Sequence, residues 1–514
     1  MKNFKLNKDD KKVVYIIGIG GINLSAIAYF LRSWGYQVCG GDIHENEKTE
    51  KLKKDGFDVK ICSSSPDFVV KCDVVIYTSA IDVQNEDVLL AKKMKKIILS
   101  RAEVLGEISK HYKTISVAGT HGKTTTTGMI SCLLRENNFQ PNIHIGGVLN
   151  NINSNYCLGE SDVLVTEACE YKDSFLKLKN YVSVVLNIKE DHLDYFHNLK
   201  NIFLSFKKFV KNTNKNGYTV LNYDDPLSAK LKPKSNIISF AIKNNATLVA
   251  KNIKKIGCGK YCFDVFYHNI KLGNINLPCY GYHNIYNALA SICVGIIFEI
   301  DFKNIKSGLE KFGGVKRRNE LLFENENVVV FHDYAHHPDE IKATLNSYKD
   351  LGFDKIVTIF QPHTFSRTKD LHNDFVTCFE KSDKVFLLPI YPAREKPIEG
   401  VTSSLLADDI KKQGKDCDVF QSFEDCEDVL GKEYLQFDKN LNEVKLSKFV
   451  KKNNKKAQNF NKNKKFQLKN TNKEINKLIM KKQEKTLIAF LGAGDINLLA
   501  EKISNKLRIK NQNR

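Results

Sequence analysis

Long hydrophobic runs are missing from this sequence of 514 residues. No stretch approaches the roughly 18 consecutive apolar residues that a membrane-spanning helix requires. The first twelve residues are charged and contain no apolar segment, which argues against a secretion signal. The sequence therefore predicts a cytoplasmic protein without membrane insertion.

Paired cysteines are also scarce, although the chain has 13 cysteines in total. Only Cys258 and Cys262 lie close together, and no second pair completes a zinc site. The odd count and scattered positions favour buried free thiols in a reducing compartment.

The positive charge is concentrated rather than general. The chain has a formal net charge of +20, but residues 438–485 hold sixteen lysines and four acidic residues, a net of +12. This stretch has no arginine and few aromatic residues that could stack on bases. We therefore expect a solvated, partly disordered insertion and no nucleic-acid partner, with an RNA-contacting tract as the alternative.

The length suggests about three domains at roughly 100–200 residues each. The content of 42% hydrophobic residues is enough for folded cores. We expect an α/β protein with a Rossmann-like domain at 1–111, a P-loop ATPase-type domain at 112–316 and a second Rossmann-like domain at 317–514. The basic insertion, at about 438–485, would lie within the third domain.

The first block begins with a strand, a glycine-rich turn and a helix. Residues 13–17 are continuously apolar, as in a buried parallel strand. Gly18, Gly20 and Gly21 would let the backbone approach a pyrophosphate at the start of the helix. Asp42 ends the next strand, where an acid commonly binds a ribose hydroxyl. Asn23 replaces the third glycine of the dinucleotide pattern, so a tight turn without a ligand remains an alternative.

The second block contains a phosphate-binding loop between a strand at 113–118 and a helix from Gly128 onward. Lys123 would reach the β- and γ-phosphate oxygens, and Thr124 would offer its hydroxyl to Mg²⁺. Val117 stands where the usual pattern has its first glycine. The loop comprises Gly119, Thr120, His121, Gly122, Lys123, Thr124 and Thr125.

Acidic and amide side chains follow the next strands. Glu167 ends a strand at 163–167, with Glu170 nearby, and both are candidate ligands of Mg²⁺. His192 follows a strand at 182–188, although by residue type alone a histidine there is more often a hydrogen-bonded loop residue. Asn284 and Asn287 lie about one turn apart on a helix and could read a base edge or cap the helix.

The third block repeats the pattern of strands that end in polar residues, at 328–331, 355–360, 384–388 and 486–491. His336, His337 and His363 could form a zinc site. Arg367, which lies among them, favours anion recognition instead.

Together the three blocks indicate a ligase that uses ATP to activate a carboxylate on a nucleotide-linked substrate. Neither a dehydrogenase nor a simple ATPase would need both glycine-rich units. Arg318 and Arg367 are candidates to neutralise charge during phosphoryl transfer, and residues 313–314 are a plausible hinge.

The chain resembles the Mur ligase family over nearly its whole length, residues 438–485 excepted. The resemblance rests on eight stretches in order: 18–21 (GIGG), 101–105 (RAEVL), 119–125 (GTHGKTT), 167–171 (EACEY), 187–194 (NIKEDHLD), 283–288 (HNIYNA), 333–338 (DYAHHP) and 361–368 (QPHTFSRT).

The resemblance implies a function in peptidoglycan precursor synthesis. Within the family, the motifs are most similar to those of the members that use ATP and Mg²⁺ to join L-alanine to UDP-N-acetylmuramic acid. That reaction would pass through an acyl phosphate and give ADP and phosphate. Monomer and homodimer both remain open.

The resemblance also implies residue roles. Catalytic roles fall to Lys123, Glu167, His192, His336 and Arg367. Thr124, Glu167 and His192 would bind the metal ions. Besides the phosphate loop, ATP would contact Asn284, Asn287, Arg318 and Asp333. The UDP moiety would contact Gly18, Gly20, Gly21, Asp42 and Ser79. The amino acid would lie among Tyr334, His336, His363 and Arg367.

Two alternatives remain. A murein peptide recycling ligase would add a peptide to the same nucleotide sugar, and a degenerate family member would act only as a binding or scaffold protein. Retention of Lys123, Thr124, Glu167 and His192 argues against the scaffold. Thr364 stands where alanine-adding ligases often have arginine, so one contact to the amino acid differs.

Overall fold

The computed structural model describes residues 6–8, 10–78, 81, 84–256, 259–393, 395–433 and 485–512. The predicted contact residue Ser79, Cys258 and all of the basic insertion except Lys485 lie outside these ranges. The chain divides into two compact units, residues 1–316 and 317–514. No helix within the described ranges is long and apolar enough to cross a membrane. Every cysteine in those ranges is a free thiol, as predicted, but only seven of the twelve are buried and the other five are partly exposed.

The first sheet has five parallel strands in the order β3-β2-β1-β4-β5. Its strands are β1 (Val13–Ile17), β2 (Gln37–Asp42), β3 (Asp58–Ile61), β4 (Val74–Tyr77) and β5 (Ile97–Ser100). Its helices are α1 (Ile22–Ser33), α2 (Glu47–Lys54), α3 (Pro66–Lys71), α4 (Glu86–Lys93) and α5 (Arg101–Ser109). Parallel strands alternating with helices confirm the Rossmann-like prediction.

The second sheet, in the same unit, has ten strands in the order β15-β14-β13-β12-β11-β10-β6-β9-β7-β8. They are β6 (Lys113–Ala118), β7 (Asn142–Leu149), β8 (Ser154–Cys157), β9 (Val163–Glu167), β10 (Asn180–Val185), β11 (Tyr218–Asn222), β12 (Asn236–Ala241), β13 (Leu248–Ile256), β14 (Lys260–Tyr267) and β15 (Ile270–Asn276). Its α-helices are α6 (Lys123–Glu136), α7 (Leu193–Phe196), α8 (Leu199–Lys211), α9 (His283–Ile297) and α10 (Phe302–Glu310). Short 3₁₀ helices span Asn150–Ile152, Tyr171–Lys177 and Ser228–Lys230.

The second unit is built on a six-stranded sheet in the order β16-β17-β21-β18-β19-β20, parallel except for β16. Its strands are β16 (Glu320–Glu324), β17 (Val328–Asp333), β18 (Lys355–Phe360), β19 (Lys384–Leu387), β20 (Cys417–Val419) and β21 (Thr486–Leu491). Its helices are α11 (Pro338–Asp350), α12 (Phe365–Asp370), α13 (His372–Thr377), α14 (Ser403–Lys412), α15 (Phe423–Glu433) and α16 (Ile496–Gln512).

Both faces of the middle part of the second sheet are covered, which explains why the strands there are buried along most of their length. Val184 of β10 belongs to the core formed with α6 and α9. Its neighbour Val185 belongs to the opposite core, which α8 completes through Phe206 and Phe209. Successive residues of one strand are therefore buried on opposite faces of the sheet.

Two boundaries differ from the sequence-based prediction in ways that matter for the site. Helix α6 begins at Lys123 and not at Gly128, so Lys123 and Thr124 belong to the first helical turn. Strand β10 ends at Val185 and not at Ile188, so Asn187 lies in the segment that follows the strand and not within it.

A buried carboxylate fixes one edge of the first domain. Asp87 is fully buried at the start of α4 and accepts hydrogen bonds from the hydroxyls of Tyr15 at 2.6 Å and Ser64 at 2.7 Å. It also accepts from the backbone N–H of Ser65 at 3.0 Å. One side chain thus ties β1 to the loop that precedes α3.

We expect Asp87→Ala to destabilise the protein by roughly 1–3 kcal/mol for each buried donor left unpaired. The matched control is Glu86→Ala, which removes an exposed acid from the same helical turn. Urea unfolding followed by circular dichroism measures both variants. Equal loss of stability in the two would contradict the role of the buried carboxylate.

Candidate active site

The phosphate loop has the backbone that its glycines predict. Gly119 and Gly122 have φ values of 146° and 85°, a region that side chains with a Cβ rarely adopt. Asn187 holds the loop at two points. Its Oδ1 accepts from the N–H of His121 at 2.9 Å, and its Nδ2 donates to the carbonyl of His121 at 3.1 Å. The loop is therefore fixed by a side chain from the segment that follows β10.

Lys123 is turned inward beneath the loop. Its ammonium donates to the carbonyls of Gly119 at 2.6 Å and Thr120 at 3.1 Å, and it pairs with Oε1 of Glu170 at 3.0 Å. Burial would lower the pKa of Lys123, but the attraction of Glu170 outweighs this and raises the pKa above its ordinary value. Lys123 is therefore charged, and its charge is balanced within the protein.

Thr124 and Glu167 lie against adjacent glycines of β7. Oε1 of Glu167 accepts from the N–H of Gly146 at 2.6 Å, which orients the carboxylate. A methyl group added at Gly147 would lie 3.1 Å from Cγ2 of Thr124. Two of the three predicted metal ligands therefore each contact β7.

His192, the third predicted ligand, belongs to a different group. A ring nitrogen of His192 and one oxygen each of Glu170 and Asp191 all lie within 4.8 Å of one another. His192 has a left-handed backbone, with φ of 51°, and its ring lies 4.7 Å from that of Tyr171. The sequence had named Glu170 as a nearby acid, but it missed Asp191. The available signal was its position directly before His192, in the polar segment that follows β10.

Asn284 and Asn287 are buried at the start of α9, beside the phosphate loop. Nδ2 of Asn287 donates to Oδ1 of Asn284 at 2.8 Å, and Nδ2 of Asn284 donates to the carbonyl of Tyr280 at 2.6 Å. A methyl group added at Gly122 would lie 2.6 Å from Oδ1 of Asn287. The amide pair is therefore packed directly against the loop.

In the first domain, Asp42 is bonded to the glycine-rich turn. Its Oδ2 accepts from the N–H of Gly20 at 2.9 Å, and its Oδ1 accepts from the N–H of His44 at 3.3 Å. Gly18 has a φ of 79°, and the N–H of Gly21 donates to the carbonyl of Gly18 at 3.0 Å. The structure thus brings together four of the five predicted UDP-contact residues.

In the second unit, Asp333 at the end of β17 is hydrogen-bonded to the segment that precedes β16 and to the segment that follows β17. Its carboxylate accepts from the N–H groups of Asn319 at 2.7 Å and Ala335 at 2.9 Å. Burial raises the pKa of Asp333, while the nearby Arg318 opposes the shift. The two adjacent arginines have different surroundings: Arg317 donates to the carbonyl of Gly494 at 2.6 Å, whereas Arg318 is exposed.

The four predicted amino-acid contacts lie close together in that unit. The ring centroids of Tyr334 and His336 are 5.3 Å apart, and those of His336 and His363 are 5.7 Å apart. Arg367 donates to Nδ1 of His363 at 3.0 Å. Burial lowers the pKa of His336 and lowers that of His363 to about 4, so both rings are neutral near pH 7.

The zinc hypothesis finds no support in the geometry. Within the described ranges, the only group of three or more metal-ligating side chains is that of Glu170, Asp191 and His192. His337 instead caps α11, where its Nδ1 accepts from the N–H of Asp339 at 3.4 Å.

Comparisons with known proteins identify matches in all three parts of the chain. Residues 13–113 match the Mur ligase family catalytic domain, 117–295 the Mur ligase middle domain, and 317–434 the Mur ligase glutamate ligase domain. UDP-N-acetylmuramate–L-alanine ligase from Clostridium perfringens is 42% identical over 426 residues, which cover 82% of this chain and 93% of that protein.

Two solved structures are similar over almost the whole chain. The crystal structure of UDP-N-acetylmuramate-alanine ligase from Thermotoga maritima has a TM-score of 0.73 and 25% identity, covering 97% of this chain and all of that one. A murein peptide ligase from Psychrobacter arcticus has a TM-score of 0.63 and 19% identity, covering 96% and 98%. The second likeness concerns the fold alone.

We expect Gly122→Ala to abolish measurable nucleotide binding, because the new methyl group would strain the loop and collide with Asn287. Gly56→Ala is the control, since Gly56 has a φ of 84° but open space around it. Both variants share a backbone cost of about 1–2 kcal/mol. Only the methyl group of Gly122→Ala collides with the Asn287 amide. Titration with a fluorescent ATP analogue distinguishes them, and equal affinities would refute the packing argument.

Proposed function

The chain belongs to the Mur ligase family, and we infer that it joins L-alanine to the carboxylate of UDP-N-acetylmuramic acid at the expense of ATP, in peptidoglycan precursor synthesis. The observation that carries this function is the partly buried Lys123 beneath a phosphate loop, with carboxylates beside it, in a chain 42% identical to an L-alanine ligase. The proposed location is the cytoplasm, as expected for an enzyme that uses ATP and a nucleotide sugar. The proposed division of labour follows the domains at 1–111, 112–316 and 317–514.

The loop and α6 are suited to bind the phosphates of ATP. The first N–H groups of α6 and the loop form a positive end toward which phosphate oxygens are attracted. Lys123 would transfer its ion pair from Glu170 to the β- and γ-phosphates. Asn284 and Asn287, fixed against Gly122, would contact the adenine.

The side chains at this edge of the sheet also fit Mg²⁺. Carboxylate and hydroxyl oxygens are its preferred ligands, and Glu170 has a buried oxygen without a hydrogen-bond partner in the described part of the chain. We propose that Thr124, Glu167 and His192 hold the metal ions, with His192 at a different position from Thr124 and Glu167. When bound, Mg²⁺ neutralises charge on the transferring phosphoryl group.

The proposed reaction has two steps. The carboxylate of the nucleotide sugar attacks the γ-phosphorus and forms an acyl phosphate. The bond between the γ-phosphorus and the oxygen bridging to the β-phosphate breaks, and ADP leaves with that oxygen. The amine of L-alanine then attacks the acyl carbon and expels phosphate. Arg318 would add positive charge during the first step.

The second step needs a neutral amine, and His336 is suited to accept its proton. Nδ1 of His336 lies 3.0 Å from the carbonyl of Tyr334, which can only accept, so Nδ1 carries the hydrogen and Nε2 presents a lone pair. Arg367, held by His363, would bind the carboxylate of the amino acid. The side-chain oxygen of Thr364 caps α12 by accepting a hydrogen bond from the N–H of Arg367, so Thr364 lies next to Arg367.

The recycling ligase is not favoured. The curated relatives that are 41–44% identical over most of their length are all named as L-alanine ligases. The murein peptide ligase structure is a more distant match, at 19% identity.

Phosphate release from ATP and Mg²⁺ with UDP-N-acetylmuramic acid tests the function directly. We expect release that depends on both the nucleotide sugar and L-alanine, with Gly, L-Ser and an alanine-containing tripeptide as separate acceptors. Release with the tripeptide alone would reassign the protein to recycling. No release from protein that still binds ATP would contradict ligase activity.

Lys123→Ala tests the division of labour between domains. We expect phosphate release to fall by at least about 10³-fold, while UDP-N-acetylmuramic acid still binds to the first domain. Calorimetric titration with the nucleotide sugar, after thermal melting has shown a folded variant, provides the measurement. Equal loss of sugar binding and of catalysis in a folded variant would contradict separate sites.

A further inference from the structure

Glu170 lies beside the phosphate loop, and its two carboxylate oxygens have different surroundings. The side chain is 2% exposed, and its Oε1 pairs with Lys123 at 3.0 Å. Its Oε2 is buried without a hydrogen-bond partner among the described residues. Native proteins seldom leave a buried carboxylate oxygen unpaired, so this atom points to a missing ligand.

The surroundings of Glu170 identify the kind of ligand. Ligand atoms of Glu170, Asp191 and His192 lie within 4.8 Å of one another. Two carboxylates and one imidazole offer acceptor atoms and, near pH 7, a net negative charge. That donor set is suited to a divalent cation and not to an anion or a neutral molecule.

The ion pair with Lys123 conflicts with nucleotide binding. Lys123 is occupied by Glu170 and by two loop carbonyls, and a triphosphate in the loop must compete for the same ammonium group. Once Lys123 turns to the phosphates, Glu170 becomes a buried charge without a counterion. Such a charge is strongly unfavourable unless a cation replaces the lost partner.

Resting on the proposed function, we propose that Glu170 exchanges partners during the reaction cycle. In the nucleotide-free protein it neutralises Lys123, and when ATP binds it joins Asp191 and His192 around a divalent cation. This exchange makes binding of the nucleotide and binding of the cation at this site mutually dependent. The left-handed backbone of His192 and its contact with the Tyr171 ring hold the imidazole in place for that role.

Glu170→Gln tests the exchange, because glutamine keeps the size and the hydrogen bond to Lys123 but removes the charge. In EDTA, a non-hydrolysable ATP analogue should bind the variant roughly tenfold more tightly than the parent, since Lys123 is released from its ion pair. In the presence of Mn²⁺, the variant's advantage over the parent in analogue affinity should be smaller. Electron paramagnetic resonance should detect one bound Mn²⁺ fewer per chain in the variant than in the parent.

Two further variants complete the experiment. Asp191→Asn should weaken Mn²⁺ binding. It should not increase the affinity for the ATP analogue in EDTA, because Asp191 does not pair with Lys123. Glu160→Gln, which removes an exposed acid between β8 and β9, should behave as the parent does.

If Glu170→Gln bound the ATP analogue more weakly than the parent in EDTA, or bound the same number of Mn²⁺ ions per chain, the exchange would be overturned. Glu170 would then be only a structural partner of Lys123. The test is separable from that of the proposed function. Mn²⁺-coupled analogue binding without any L-alanine-dependent phosphate release would refute the ligase assignment alone. L-alanine-dependent release with uncoupled binding would refute the exchange alone.

Discussion

Parallel pairing of β9, β6 and β10 is the constraint on which the central site depends. The register sets Val117 opposite Glu167 and Ala118 opposite Val185, so all three strands end at the same level. Three segments distant in sequence consequently meet at one edge: the phosphate loop, the turn that carries Glu170, and the segment that carries His192. The apolar cores on both faces keep this register, because a shift by one residue would move each strand's side chains to the opposite face.

The polar groups at that edge are stable only because they neutralise one another. Lys123 is nearly buried, and without Glu170 its charge would be expensive to hold there. Hydrogen bonds from the protein itself also satisfy Asn187 and Asn284. In the proposed exchange, a ligand with phosphate groups and a cation would replace these internal partners.

Many of the sequence-based expectations were met because they rest on local patterns. The strands Val13–Ile17, Lys113–Ala118 and Thr486–Leu491 have the predicted bounds, since a continuous apolar run between turn signals has few other stable arrangements. Strand β10 ends at Val185 and not at Ile188 as predicted, because periodicity says little about where pairing stops. The start of α6 was placed too late for the same reason, as loop glycines and the first helical turn are contiguous in sequence.

The sequence by itself determined the α/β architecture, the phosphate loop with Lys123, and the acid at the end of β9, because apolar period and glycine position act over a few residues. Only the tertiary structure decided that Asp191 and His192 converge on Glu170, that Asn187 holds the loop, and that Arg317 is bound to the carbonyl of Gly494 while Arg318 is exposed. These pairings join residues up to 177 positions apart in sequence. Spacing along the chain carries no information about such contacts, because sheet order and register create them.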